Sequence, residues 1–457
     1  MDGYFYDMPD VKHLRKGLNI RIKGVAEKVT MKMPLSATIS IKPSDYFGFV
    51  PRLAVKPGDR VRAGDKVLTD KNKPEISLTS PVSGVIKEII RAERRELQEV
   101  IIAADKEIEY KPFTRQDVNN VNRDMIIQAL LDSGLWPVIK QRPFNLIADP
   151  AKMPRDIFIS GFDTAPLAPD IDYLISGYEP EFLTGIDALA KLTAGRIHLS
   201  VDGRYPVPAV YSNCRKLTLH EFTGPHPAGN TGVQIHHIAP INKGEIVWTI
   251  HPQDVILVGR FFMKAITDTS RLVALTGPVV KRPMYFKVIS GSSIAPLIAG
   301  NITEENVRYI SGNVLTGRKI SLDGHLGFSD VQITVIPEGN YHELLGWASP
   351  GFNKFSASRT FWSWLSPDRK YVPDTNLHGG RRAFVFSGQY ESVLPMDILP
   401  VHLLKAILAE DIDQIENLGI YEVVEEDLAL CEYVCTSKIE VQQLLRKGIN
   451  LIIKEIS

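Results

Sequence analysis

The sequence predicts a multidomain α/β protein. Three observations carry that expectation. The apolar rhythm changes three times along the chain, the turn signals change with it, and 457 residues exceed what a single compact core supports.

The first stretch with a clear rhythm, Ser36 to about Ala104, reads as all β. Short apolar runs such as ATISI, RLAV and KVLT are separated by PGD, AGD and SPVSG, where Gly and Pro supply turn angles. Lys56-Pro57-Gly58-Asp59-Arg60-Val61 and Ala63-Gly64-Asp65-Lys66-Val67-Leu68 together write the PGDxVxxGxxL pattern of a barrel-sandwich, lipoyl-like domain. With the N-terminal arm this gives a first unit over 1–110. In the second, 111–269, the runs DIFIS, RIHLSV, GEIVWTI and VILVG read as buried strands. They alternate with helix-like stretches such as TGIDALAKLTAG, which predicts βαβ units on a mostly parallel sheet. The third unit, 270–345, carries LVALTG, YFKVIS, APLIAG and VQITVIP, a small sheet with one helix. The last, 346–457, is expected to be helical, because Asp397 to Leu408 and two later stretches have helical apolar spacing.

Composition excludes several functions. Acids and bases balance to a formal charge of zero, which argues against general nucleic-acid binding. No apolar run approaches the roughly 20 residues that span a bilayer, and the start MDGYFYDMPDVKHLRKG lacks the apolar region of a signal peptide. Three cysteines, Cys214, Cys431 and Cys435, make no disulfide framework and fit a reducing compartment. They also exclude a four-thiolate iron–sulfur cluster within this chain.

Lys71 stands where a lipoyl or biotinyl carrier would place its attachment lysine, on the hairpin before Ser80-Pro81 and Gly84. Asn72-Lys73-Pro74-Glu75 lengthens that hairpin, so a solvated lysine is favoured over a swinging arm. The stretch Phe222 to Ile238 reads as a loop whose Gly224, Gly229 and Gly232 let the backbone approach a ligand, with His226 as a donor. It matches neither GxxxxGK[ST] nor GxGxxG. His220, His226, His236, His237 and His251 cluster in sequence, but His236 and His237 are expected on opposite faces of a strand, and no metal site is predicted. His342-Glu343 opens like a zinc-protease helix but lacks the second histidine. Phe361-Trp362-Ser363-Trp364-Leu365, flanked by Lys354, Arg359, Arg381 and Arg382, is a candidate protein-contact surface if exposed. No catalytic residue is identified.

Taken together, Arg15-Lys16-Gly17-Leu18, VKPGDRVRAGDKVL, SPVSGVI, FTGPHPAGNTGVQIHHIAP, QDVILVGRFF, LTGPVVKRP, SPGFNKFS, GGRRAFVFSGQYESVLPMDILP and EEDLALCEYVCTSK resemble the A subunit of the Na+-translocating NADH:quinone oxidoreductase along nearly the whole chain. The resemblance implies a barrel-sandwich domain, a Rossmann-like α/β domain, a β-grasp domain of the SLBB type and a helical tail. It also implies a peripheral subunit on the cytoplasmic face of the bacterial inner membrane, docked on the membrane B subunit. NADH, flavins and the iron centre would belong to partner subunits. The C subunit of the Rnf complex and the flavin subunit of respiratory complex I are similar at a greater distance. They cradle flavin phosphate on a GxGGAGFPT-type loop and hold a cluster with CxxCxxC. Here Ser133 to Phe144 corresponds to that loop without its glycines, and only Cys431 and Cys435 remain of the cluster motif. The resemblance therefore implies no cofactor bound covalently or as a metal in this chain, with quinone as the ligand. Tyr46, Trp136, Gly224, His226 and Gly229 are the candidate quinone contacts. The alternatives are a carrier modified at Lys71 and an electron-transfer subunit holding a flavin or nucleotide in the Phe222–Gly232 loop.

Overall fold

The computed structural model describes residues 11–341, 343, 346 and 349–456. The first ten residues, MDGYFYDMPD, and His342, Leu344 and Leu345 of the His-Glu motif lie outside them.

The PGD and AGD turns behave as their sequence dictates. Gly58 and Gly64 take φ of +90° and +97°, which a Cβ would disfavour. The aspartate after each accepts a backbone N–H from three residues back, Asp59 from Lys56 at 2.9 Å and Asp65 from Arg62 at 2.8 Å. These turns connect two antiparallel sheets. One holds, in order, Thr38–Ile41, Leu97–Ala104, Gly84–Arg91 and Arg60–Val61; the other holds Pro51–Leu53, Lys66–Asp70 and Ser77–Thr79. Ile39, Val67, Leu68, Val82, Val100 and Ile102 fill the space between them without exposure.

In the α/β unit, five strands run parallel in the order Lys12–His13, Leu217–Thr223, Ile197–Asp202, Ile157–Ser160 and Val247–Thr249. Lys140–Arg142 and Leu146–Ile147 close the edge antiparallel. Two expectations fail here. VILVG is not a strand but the middle of the helix Pro252–Lys264, whose residues Pro252 through Phe262 are all buried. The helix carries its polar stripe at Gln253, Asp254, Arg260 and Lys264, but the five-residue window VILVG falls between those positions and, being uniformly apolar, looks like a core strand. The stretch ending QIHHI is loop only from Gly224 to Asn230 and then forms the helix Thr231–Ile238. That places His236 and His237 on neighbouring positions of a helix rather than on opposite strand faces.

The sheet of the third unit runs Arg318–Ile320, Val307–Ser311, Gln332–Pro337, Ser270–Thr276, Met284–Ile289 and Glu27–Lys32. Its central pair, Ser270–Thr276 with Gln332–Pro337, is parallel and its hairpins are antiparallel. The arm contributes Glu27–Lys32 as an edge strand with all six side chains exposed, three of them charged, which blunts the edge against further pairing. The helical expectation from 346 onward holds only from Gln389. Among the described residues between 346 and 388, the one helical element is the 3-10 turn Trp362–Leu365. The helices Gln389–Val393, Pro400–Ala409, Ile412–Asn417, Ala429–Val434 and Val441–Ile456 pack around Leu403, Leu404, Ile407, Leu445 and Ile449. That core also takes in Ile20, Phe144 and Val233 from earlier in the chain.

Candidate functional site

Each predicted site residue has a definite place, and the five quinone candidates do not converge. Trp136 is fully buried, edge-on to Trp248 at 5.4 Å, and its indole N–H is spent on the Ala148 carbonyl at 2.7 Å. Gly224 and Gly229 serve approach between chain segments: a Cβ would stand 2.6 Å from the Leu14 oxygen at Gly224 and 2.6 Å from the Thr164 nitrogen at Gly229. His226 is buried, its ring Nδ1 hydrogen-bonded to Thr164 Oγ1 at 3.1 Å. Its backbone N–H donates to Asn19 Oδ1 at 2.9 Å. Burial pushes its pKa down to about 4, so the ring is neutral. The loop is a joint between the arm, the sheet and the tail.

His236 and His237 hold the tail as well, whereas His220 pairs with His198 inside the α/β sheet and His251 caps the helix Pro252–Lys264. His236 bridges Glu422 at 2.7 Å and the Asp397 N–H at 3.0 Å, and His237 Nε2 lies 2.7 Å from the Pro395 carbonyl. Among the described residues no three His, Cys, Asp or Glu side chains are grouped to hold a metal. Cys431 and Cys435 are buried in the tail core, and burial raises the Cys431 thiol above its ordinary range.

The stretch Ser133–Phe144 meets that same tail. Gly134 ends the helix Arg123–Ser133 in the left-handed region, and the chain then runs through buried Trp136 to Arg142. Arg142 is 2% exposed; its Nη1 donates to Asp427 Oδ2 at 2.8 Å and its Nη2 to Glu426 Oε1 at 2.6 Å. Burial disfavours the guanidinium charge, but Asp427 and Glu426 outweigh it and hold the pKa up. Asp427 itself lies against the first turn of the helix Thr231–Ile238, where a Cβ on Gly232 would stand 2.3 Å from its Oδ2. The chain's own carboxylate thus occupies a helix N-terminus that would otherwise suit an anion.

Tyr46 belongs to a different junction, where three units meet. Its buried ring lies 5.7 Å from Phe328, in the turn before the strand Gln332–Pro337 of the third unit, and Lys140 of the α/β sheet sits 4.7 Å above it. Arg271, unexposed, donates to Asp254 at 2.8 Å and to Ser290 Oγ at 2.8 Å, with Phe328 5.5 Å away. Burial, opposed by Asp254 and Asp45, lowers the Lys140 pKa to about 8.

On the opposite face of the Arg271 strand lies a half-open groove of about 340 Å³. Neighbouring residues of a strand point to opposite faces, so Ser270 lines the groove while Arg271 enters the junction. Met33 and Leu35 form one wall, Val288, Ile289 and Leu297 the other, and Lys32 and Lys287 stand at its polar edge. Lys287 already donates to the Tyr178 hydroxyl at 2.9 Å. None of the five quinone candidates lines this groove. No sequence signal marks it, because its walls come from a linker and a sheet far apart in the chain.

The Lys71 hairpin is wide: residues 71–76 join its strands, the Lys71 N–H donates to the Val50 carbonyl at 2.9 Å, and Lys73 pairs with Asp149 of the α/β unit at 2.9 Å. Trp362 and Trp364 are exposed, Phe361 is half-buried under Lys354 at 5.4 Å, and Arg381 and Arg382 are exposed, Arg381 pairing with Glu440.

A barrel-sandwich domain, a parallel α/β domain and an SLBB domain, closed by a helical tail and built without a helix long and apolar enough to cross a membrane among the described residues, define a class of multidomain protein. Three family models match in succession: the NqrA N-terminal barrel-sandwich hybrid domain at 12–105, the NqrA second alpha/beta domain at 121–266, and the NQRA C-terminal domain at 272–321. The chain belongs to the NqrA family. It is 38% identical over 445 residues to the A subunit of the Na(+)-translocating NADH-quinone reductase of Yersinia pestis, covering 97% of this chain and 99% of that one. It is 36% identical over 452 residues to the protein of the same name from Rhodopirellula baltica, covering 97% and 98%. The counterpart of that name from Neisseria meningitidis is 38% identical over 446 residues, covering 97% and 99%. A chain of an NAD+-reducing [NiFe]-hydrogenase in the H2-reduced state aligns at a TM-score of 0.38 and 11% identity, over 75% of this chain and 62% of that one.

Proposed function

We propose that this chain is the A subunit of a Na+-translocating NADH:quinone reductase, a peripheral scaffold on the cytoplasmic face of the inner membrane, docked on the membrane-embedded B subunit. In this reading NADH oxidation, flavins and the iron centre reside in partner subunits, and the Rossmann-like sheet is retained as architecture without a nucleotide. Similarity to proteins of that name over nearly the full length supports the assignment. The packing of Trp136 and Arg142 through the stretch that resembles a flavin cradle supports the cofactor-free reading. A quinone headgroup asks for apolar walls and one or two donors.

The observation that carries a quinone role is the groove between Met33–Leu35 and Val288–Leu297, whose volume falls in the range of small-molecule sites. Lys32, whose side chain makes no hydrogen bond or ion pair among the described residues, stands beside it as donor to a carbonyl. The test is the melting temperature of the purified chain titrated with a short-chain ubiquinone, with Leu35→Trp to fill the groove. Ligand at about 100 times its Kd stabilises by about 2.7 kcal/mol through mass action, and the substitution removes that shift. A shift that survives Leu35→Trp moves quinone elsewhere, and no shift in the unaltered chain leaves only the scaffold. An absorption spectrum and intact mass of the same sample test the rest: colourless protein of unmodified mass is expected, whereas flavin bands or an added arm at Lys71 overturn the reading.

A further inference from the structure

We propose that the turn Trp362–Leu365 and its basic flanks form a membrane-contact surface that seats among anionic phospholipid headgroups. The turn inverts the usual burial of residue types. Its one polar residue, Ser363, is buried and donates its hydroxyl to the Lys354 carbonyl, while Trp362, Trp364 and Leu365 are 58%, 51% and 61% exposed. Phe352, 53% exposed, stands edge-on to Trp362 at 5.8 Å and extends the apolar face. Ser363 thus anchors the turn from beneath so that its large side chains project outward, a costly arrangement in water.

Charge decides what covers it. Between residues 351 and 370 the chain carries Lys354, Arg359, Arg369 and Lys370 against Asp368 alone, in a molecule whose formal charge is zero. Lys354 pairs with Glu343 and Arg369 with the Asn353 amide oxygen, but Arg359 and Lys370 are exposed and face no carboxylate among the described residues. Amphipathic rings beside unpaired cations fit the headgroup region of a bilayer, where tryptophan settles and basic residues meet anionic lipid. Protein–protein interfaces share the enrichment in tryptophan and arginine but are depleted of lysine, so Lys370, exposed and unpaired among the described residues, tips the surface toward lipid. The inference takes its setting from the proposed placement at a membrane, and it stands or falls independently of quinone in the groove.

The test is co-flotation of the purified full chain with vesicles of phosphatidylglycerol and phosphatidylcholine in equal parts, against vesicles of phosphatidylcholine alone. Binding to the mixed vesicles, weakened by salt, is expected, together with quenching of tryptophan fluorescence by brominated acyl chains. Trp362→Ala with Trp364→Ala should lower partitioning by about tenfold. Arg359→Glu with Lys370→Glu should abolish the preference for anionic vesicles. Should the alanine pair fail to fold, Trp362→Phe with Trp364→Phe keeps the apolar face and is expected to float while losing the quenching. The proposal is overturned if the unaltered chain floats with neither vesicle, or if the charge-reversed chain floats as well as the original. It is also overturned if the alanine pair blocks assembly with the membrane-embedded subunits in detergent while leaving flotation intact, which would assign the surface to a protein contact.

Discussion

At the residue scale, two buried cations set the sharpest expectations. Arg142 neutralises Asp427 in a place where neither is exposed to water. Truncating one partner of such a pair strands the other, at a cost of about 3–5 kcal/mol, whereas replacing both with apolar groups is often nearly neutral. Arg142→Ala is therefore expected to lower the melting temperature steeply, and Arg142→Leu with Asp427→Leu to recover most of the loss. A double variant no better than the single one would show that geometry, not charge, holds the joint. Lys140 titrates in the opposite sense. Burial brings its pKa from 10.5 down to about 8, so between those values the unfolded chain holds a proton that the folded chain has released. Stability then rises with pH across that window, falls as pH drops from 10.5 toward 8, and levels off below. Urea unfolding of the chain and of Lys140→Met at pH 8 and 10 checks this: the variant should show the smaller rise.

At the scale of elements, turn chemistry was far more legible than period. The PGD and AGD turns, the antiparallel strands between them and the helix Pro400–Ala409 were readable because each is local: a glycine angle, an aspartate closing its own turn, an apolar stripe. The helix Pro252–Lys264 was not, because its apolar window VILVG is shorter than the spacing of the polar residues that flank it, Asp254 and Arg260. Its burial also governs which substitutions it tolerates. Gly259 lies where the helices Pro252–Lys264 and Glu179–Leu189 cross, and a Cβ there would stand 1.7 Å from the Glu181 carbonyl oxygen. That atom is backbone and cannot rotate aside, so Gly259→Ala should force the helices apart and cost about 1–3 kcal/mol. Gly177→Ala is the useful contrast. Nothing lies within 4 Å of a Cβ there, and only its φ of +83° resists the change, at about 1 kcal/mol. Denaturant melts of the two variants should separate steric crowding from backbone strain.

Across the whole molecule, the parts that join units were illegible for a physical reason. Arg142 and Asp427 are 285 positions apart, Tyr46 and Phe328 nearly as far, and no local pattern marks a residue whose partner is supplied by another domain. The candidates chosen from two stretches, Trp136 from one and Gly224, His226 and Gly229 from the other, pack against residues distant in sequence that neither stretch names. The cluster around Trp362 and Trp364 was legible as a cluster, but its exposure was not, because core packing is the default for aromatic side chains and only the fold shows them facing outward. The joints also dictate how the molecule should come apart. The tail from Gln389 to Ile456 draws most of its apolar core from its own helices and meets the α/β unit through Phe144, Leu167 and Val233 and through polar pairs: Arg142 with Asp427, His236 with Glu422, and Lys243 with Glu416 at 2.7 Å. A unit that draws most of its core from its own helices opens before the rest when the polar part of its seam is cut. Hydrogen exchange on Arg142→Ala should therefore accelerate first in the helices Pro400–Ala409 and Val441–Ile456, while the strands Ser270–Thr276 and Gln332–Pro337 keep their protection. Uniform loss of protection would instead mean that the apolar contributions of Ile20, Phe144 and Val233 to the tail core bind all four units into one cooperative body.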